Sequence, residues 1–132
     1  MSDWFNKTAF EIREAVAQGD VSAREVTTSF LDRIEAVDGA VGAYTQLWND
    51  DALAQADAVD AKVKAGEALG ALAGVPISLK ELICTTSGET TCSSRILNGF
   101  QSPYNATVTK KLLAADDLEQ IFRGIEEEDA KF

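Results

Sequence analysis

Apolar residues recur at helical spacing through the first half of the chain, and each run is bracketed by start and stop signals. Ala9, Ile12 and Val16 share one face of a helix that opens at Thr8 and stops at Gly19. Thr8-Ala9-Phe10-Glu11 is a capping box, in which a hydroxyl and a carboxylate each satisfy a backbone N–H left over at the helix start. Ser22-Ala23-Arg24-Glu25 repeats the device, with Val21 and Val26 at the two positions of a hydrophobic staple. Val26, Phe30, Ile34 and Val37 then recur with Leu31 beside them, and Gly39 is the predicted stop. Ala43 to Trp48 is a short β-prone run. A third helix is predicted from Asp51 to Ala65, capped by Asn49 or Asp50, with Leu53, Ala56, Val59 and Val63 inward and Gly66 at its end.

Leu72 to Leu79 reads as a buried strand whose Pro76 marks an edge or an irregular position. Strand, helix, strand predicts a short βαβ unit with a right-handed crossover. Thr85 to Ser94 is too polar for a core and reads as an ordered loop. Asn105 is placed to cap a helix running to Ala115, with Val108 and Leu112 on one side. Leu118, Ile121, Phe122 and Ile125 fall at i, i+3, i+4 and i+7, which predicts an added amphipathic helix at the C-terminal end. The expected class is α/β and helix-rich.

Charge divides the chain. The formal net charge is −10, and residues 116–132 hold seven acids against Arg123 and Lys131. A junction is therefore expected at Ala115/Asp116, giving a main segment 1–115 and an acidic tail 116–132. The 132 residues, 45% hydrophobic and 26% charged, suit one ordinary globular core. So acidic a surface argues against nucleic acid, which is gripped by Lys and Arg, and against an anionic membrane. The uncharged stretch Ala68 to Leu79 is 12 residues long with two glycines, too short to span a bilayer. The start, Met1-Ser2-Asp3-Trp4, lacks the basic and apolar regions of a secretion signal. Cys84 and Cys92 are expected as free thiols, and the cytoplasm is the expected location.

The chain has no histidine, which removes Ser-His-Asp and Cys-His catalysis and every imidazole metal site. No cofactor or metal is expected. Lys80 is the most suggestive residue: it ends the apolar run Val75 to Leu79, and ligand sites in α/β folds gather at the carboxyl ends of strands. Among apolar neighbours it would serve as a neutral base; otherwise it extends to solvent or pairs with an acid such as Glu81. Seven Ser or Thr residues lie in the 85–94 loop, but hydroxyls alone supply neither a base nor oxyanion donors. Their simplest role is bonding to the backbone of a tight loop. Cys84 and Cys92 lack the two-residue spacing of zinc or redox motifs.

At Leu72-Ala73-Gly74-Val75-Pro76-Ile77-Ser78-Leu79-Lys80-Glu81-Leu82-Ile83-Cys84-Thr85 the chain resembles the amidase signature family. Within it the likeness is to the A subunits of aspartyl/glutamyl-tRNA amidotransferases. Gly19 to Val26, Thr90 to Leu97 and Ser102 to Val108 carry the same resemblance in the same order, from about Thr8 to Ala115. It implies the N-terminal part of an amidase-signature fold. It also implies a Ser–cis-Ser–Lys site in which Lys80 is the catalytic base, relaying a proton through the cis-serine to the nucleophile. The implied parent activity frees ammonia from glutamine for the amidation of Glu-tRNA or Asp-tRNA, with other amidotransferase subunits as partners.

By the same resemblance both serines lie in a Gly/Ser-rich signature beyond these 132 residues, so the chain is expected to be incomplete as an enzyme. A small cytosolic binding or regulatory protein docking on amidotransferase subunits is the alternative, as is an inert truncated product. Glu81 stands where the A subunits carry Asp, and the loop glycine falls at Gly88 rather than 87. After the helix ending near Ala115 the family continues with an apolar strand, whereas Asp116-Asp117-Leu118-Glu119-Gln120 stands here. The tail helix is then expected to cover the open sheet edge, within the chain or across a homodimer.

The second capping box generates a direct test. Ser22→Ala should lower stability by about 1 kcal/mol through the lost cap, read as a fall in the thermal midpoint. An unchanged midpoint would contradict the helix start.

Overall fold

The computed structural model describes residues 3–115 and, as backbone, the strand at 118–123. Among the described residues there are four helices: α1 (Ala9–Gln18), α2 (Ala23–Val41), α3 (Asn49–Ala65) and α4 (Thr107–Ala114). Three strands accompany them: β1 (Gln46–Leu47), β2 (Pro76–Leu79) and β3 (Leu118–Arg123). Short 3-10 turns occupy Trp4–Asn6 and Arg95–Leu97.

Both capping boxes form. The Thr8 hydroxyl accepts from the Glu11 N–H at 3.2 Å, and Glu11 Oε2 accepts from the Thr8 N–H at 2.8 Å. Ser22 and Glu25 do the same at 3.0 Å each way. These bonds hold the Glu11 and Glu25 carboxyls below the usual carboxylate range. Because the folded pKa is depressed, their contribution is present above the ordinary value of 4.5 and is lost as pH falls through the lowered one. A further carboxylate, invisible in the local pattern, reaches the start of α2. Asp60 of α3 accepts from the Ala23 N–H at 2.7 Å and from the Arg24 N–H at 3.2 Å. Negative charge at a helix N-terminus is favourable, and this bond also fixes how α2 and α3 pack.

Ile12, Val16, Ala23, Val26, Ala56, Val59, Ala73 and Val75 form the main core, with Ile77 packed against it. Ile34 and Ala52 form a second cluster with Phe30, Leu31 and Tyr44. Ala9 is exposed, and Ala52 takes the inward place expected of Leu53, which is half-buried. The turn before β2 brings Gly74 onto α1, where φ is +77° and an added Cβ would lie 2.9 Å from Val16 Cγ2.

Several sequence expectations are corrected. Helix α2 passes through Gly39 and ends at Gly42, which takes the left-handed conformation and donates to the Asp38 carbonyl at 2.7 Å. Asp38 Oδ1 also accepts from the Ala43 N–H, so the chain turns after this residue rather than before. The two early strands shrink to Gln46–Leu47 and Pro76–Leu79; the second starts late because residues 71–74 form the turn that seats Gly74 on Val16.

The tail helix is also overturned. Leu118–Arg123 is a strand, and it lies at the centre of the sheet in the order β1-β3-β2. It runs antiparallel to β1, with Leu47 opposite Phe122, and parallel to β2, with Leu79 opposite Arg123. Two short strands left apart would each expose an unpaired edge, and a segment laid between them satisfies both. Helical spacing of four apolar residues is a weaker constraint than that backbone pairing. Ile125 and the rest of the expected tail helix lie outside the described residues. Strands β1 and β2 consequently point in opposite directions, so the predicted βαβ unit does not form between them. The parallel pair is β2 with β3, connected through α4.

The contact at Gly74 predicts a large cost for a single methyl. Gly74→Ala should lower stability by about 2 kcal/mol, because it adds backbone strain at positive φ to a clash with a core valine. A urea midpoint equal to that of the unaltered chain would refute this packing.

Candidate functional site

Lys80 follows the buried Leu79 at the carboxyl end of β2, where the chain leaves the sheet. Its side chain is exposed, so the described residues do not enclose it in the apolar surroundings a neutral base requires. With Glu81, Leu82, Cys92 and Ser93 it lines a cleft of about 160 Å³. The cleft has two walls: Lys80, Glu81 and Leu82 at the end of β2, and Cys92 and Ser93 of the hydroxyl-rich loop.

Glu81 joins these walls. It is 5% exposed, and its Oε1 accepts a hydrogen bond from the Thr91 hydroxyl. Cys92 and Ser93 follow in the left-handed region, at φ 51° and 56°, and the Ser94 N–H donates to the Thr91 carbonyl at 2.8 Å. Two successive non-glycine residues in that region are uncommon, and the Glu81–Thr91 bond lies beside the corner they form.

The remaining loop is held by bonds to distant residues. Gln46 of β1 grips Glu89 twice: Nε2 donates to its carbonyl at 3.2 Å, and Oε1 accepts from its N–H at 3.0 Å. Gly88 sits against Trp48 at φ +67°, and an added Cβ would lie 2.0 Å from Trp48 Cζ2. The glycine at 88 is thus required by the close approach of an indole. Asn105 Oδ1 accepts from the Thr86 N–H at 2.6 Å, and the Cys84 carbonyl accepts from the Ala106 N–H at 2.8 Å and the Thr109 hydroxyl at 3.2 Å. Asn105 therefore does not cap α4 as its sequence position suggests; Ala106 stands at the cap without a side-chain bond.

Of the seven loop hydroxyls, Ser93 is the one placed in the Lys80 cleft. Thr85 and Thr90 are buried, and the Thr85 hydroxyl donates to the Ser87 carbonyl at 2.5 Å, as a structural role requires. Cys84 and Cys92 are free thiols. Cys84 lies 3.9 Å from the Tyr104 hydroxyl, and the thiol raises that phenol above its ordinary 10.0. Among the described residues no group of His, Cys, Asp and Glu could hold a metal ion, and no helix is long and apolar enough to cross a membrane. A larger cleft of about 530 Å³ lies at the start of α2, with Asp20, Glu25 and Asp32 around Arg24, and shares no residue with the Lys80 cleft.

Sequence reasoning located Lys80 but missed Gln46, Glu81 and Asn105 as the residues that shape its surroundings. A polar residue inside a β-prone run was the available signal for Gln46. For Glu81 and Asn105 local sequence offers none, since their partners lie 10 and 19 residues away.

Comparison with known proteins bears on this arrangement. The family model described as Amidase matches residues 25–118. The A subunit of the glutamyl-tRNA(Gln) amidotransferase of Acidothermus cellulolyticus is 51% identical over 112 residues, covering 85% of this chain and 22% of the relative. Its counterpart in Streptomyces coelicolor is 51% identical over 116 residues, covering 88% and 23%. A solved structure from a vestigial protein complex linked to the origins of an s-triazine catabolic enzyme superposes with a TM-score of 0.83 at 32% identity, covering 90% of this chain and 26% of that one. A bacterial aryl acylamidase of the amidase signature family also gives 0.83, at 29% identity, covering 90% and 25%. The chain spans about a fifth of the length of the curated relatives it matches. With the family match running from α2 to the start of β3, and half of all aligned positions identical to these amidotransferase relatives, this chain belongs to the amidase family.

Proposed function

We propose that residues 1–115 supply the lysine-bearing part of a Ser–cis-Ser–Lys amide-hydrolysing site of the amidotransferase A-subunit type, and that residues 116–132 are distinct from them in their acidic composition, although strand β3 within them completes the sheet. Lys80 is the proton acceptor, glutamine the substrate, and other amidotransferase subunits the partners that would use the ammonia. The reaction would proceed in the cytoplasm. The observation that carries this reading is the placement of Lys80: it projects from the carboxyl end of β2 into a cleft whose far wall is held by Glu81 and Thr91.

Lys80 by itself can accept a proton, but amide cleavage also needs a nucleophile within hydrogen-bond reach and donors for the oxyanion. The resemblance assigns the nucleophilic serine and the cis-serine to sequence outside these 132 residues, and the absence of histidine closes the usual alternative base. An exposed Lys80 is consistent with a base whose apolar surroundings come from elsewhere in a completed site.

A chimera tests the role of Lys80 directly. Residues 1–115 replace the matched region of the A. cellulolyticus relative, which is assembled with its own partner subunits, and ammonia release from glutamine is measured. The chimera should turn over, and Lys80→Ala should reduce kcat by about 1,000-fold or more. The purified chain alone should release no ammonia. Equal turnover with lysine or alanine at position 80 would refute the assignment.

A further inference from the structure

Glu81 belongs both to the strand exit that bears Lys80 and to the bond that holds the opposite wall of its cleft. It follows Lys80 directly and lines the same cleft, yet it is buried while Lys80 is exposed. A carboxylate taken out of water needs hydrogen bonds to hold it there, and Glu81 receives one from the Thr91 hydroxyl, ten residues along the chain. Cys92 and Ser93 come next and form the facing wall, with φ of 51° and 56°. Non-glycine residues in the left-handed region are strained and persist only where their surroundings over-determine them. From within this corner the Ser94 N–H donates to the Thr91 carbonyl at 2.8 Å; from outside it, Glu81 takes the Thr91 hydroxyl. The rest of the loop is tied elsewhere. The Thr86 N–H goes to Asn105, and Gln46 grips the Glu89 backbone. The Glu89 carboxylate accepts from the Gly99 N–H at 2.8 Å, and the Thr90 N–H donates to the Phe100 carbonyl at 2.8 Å. Of these ties, the Glu81–Thr91 bond is the one that reaches the residue next to Lys80.

We propose that Glu81 is a positioning residue: through Thr91 it fixes the Cys92–Ser93 corner against Lys80, and so sets how closely the cleft encloses the lysine. The proposal rests on the reading of Lys80 as proton acceptor; the tie between the walls rests on the geometry of Glu81 and Thr91. An ammonium group kept from water gives up its proton more readily. A slack corner admits water to Lys80, which then holds its proton to higher pH and is less often the neutral base. The proton moves in the chemical step, so the loss falls on kcat and leaves the KM for glutamine nearly unchanged.

Ammonia release from glutamine by the chimera carrying residues 1–115 tests this with Thr91→Val. That change removes the donor but keeps Lys80, Glu81 and Cys92, the titratable groups of the cleft among the described residues. kcat should fall about ten-fold with KM changed by less than about two-fold, and the rising limb of kcat against pH should move up by about half a unit or more. Thr91→Ser restores a hydroxyl and should recover most of both effects. Glu81→Met should reproduce the loss in kcat, and combined with Thr91→Val it should be no slower than the slower single variant, since both changes remove one bond. In the free chain, Thr91→Val should speed hydrogen exchange of the Ser94 amide about ten-fold or more relative to the amide of the buried Val16. The proposal is overturned by Lys80-dependent turnover that is equal with threonine or valine at 91, by a fall in kcat without the shift in pH, by losses that multiply in the double variant, or by an unchanged Ser94 amide. Turnover indifferent to Lys80→Ala instead removes the reading of Lys80 as base, and the Ser94 amide then reports separately on whether Glu81 holds the corner.

Discussion

The Cys84 carbonyl is the constraint on which the second half of the molecule depends. It accepts from the Ala106 N–H and the Thr109 hydroxyl, and so ties the exit of β2 to the first turn of α4 across about twenty residues of loop. No apolar cluster among the described residues draws on this region, so long-range hydrogen bonds of this kind order it. Each such bond contributes about 1 kcal/mol net, but a buried carbonyl left unmatched would cost more than that. The polar groups are therefore retained because abandoning any one of them is expensive. Asn105 with the Thr86 N–H and Gln46 with Glu89 extend the same logic outward.

The first half obeys the opposite rule. Alanines and valines at Ala23, Val26, Ala56, Val59 and Ala73 let α1, α2, α3 and the turn before β2 approach closely. Asp60 then locks α2 to α3 by occupying the positive end of α2. Non-directional burial sets the distance between helices, and one carboxylate sets their register. Lys80 stands where these two regimes meet: behind it is the apolar platform ending at Leu79, and ahead is the hydrogen-bonded loop. That junction explains how the lysine can be exposed while its neighbour Glu81 is buried. The carboxylate faces inward to hold the Thr91 corner, which leaves the lysine facing the cleft.

Much of this was legible along the chain. Both capping boxes, the Gly19 and Gly66 stops and the position of Lys80 at a strand end follow from interactions within a few residues. Such interactions are present wherever the segment folds, and local sequence therefore determines them. The amidase resemblance was legible for the same reason, since it rests on short ordered stretches around Lys80, Thr90 and Ser102.

Tertiary structure decided what local pattern could not. Leu118 to Arg123 has the spacing of an amphipathic helix, yet it becomes a strand because β1 and β2 offer it hydrogen bonds on both sides. Asn105 has the placement of a helix cap, yet its carbonyl is taken by Thr86 from another segment. Gly39 has the look of a stop, yet the helix ends only where Asp38 can receive both Gly42 and Ala43. In each case a group with one local use found a distant partner of equal or greater worth. Sequence alone determines which bonds a residue is able to make; the fold determines which one it makes, because every buried backbone group must be satisfied at once.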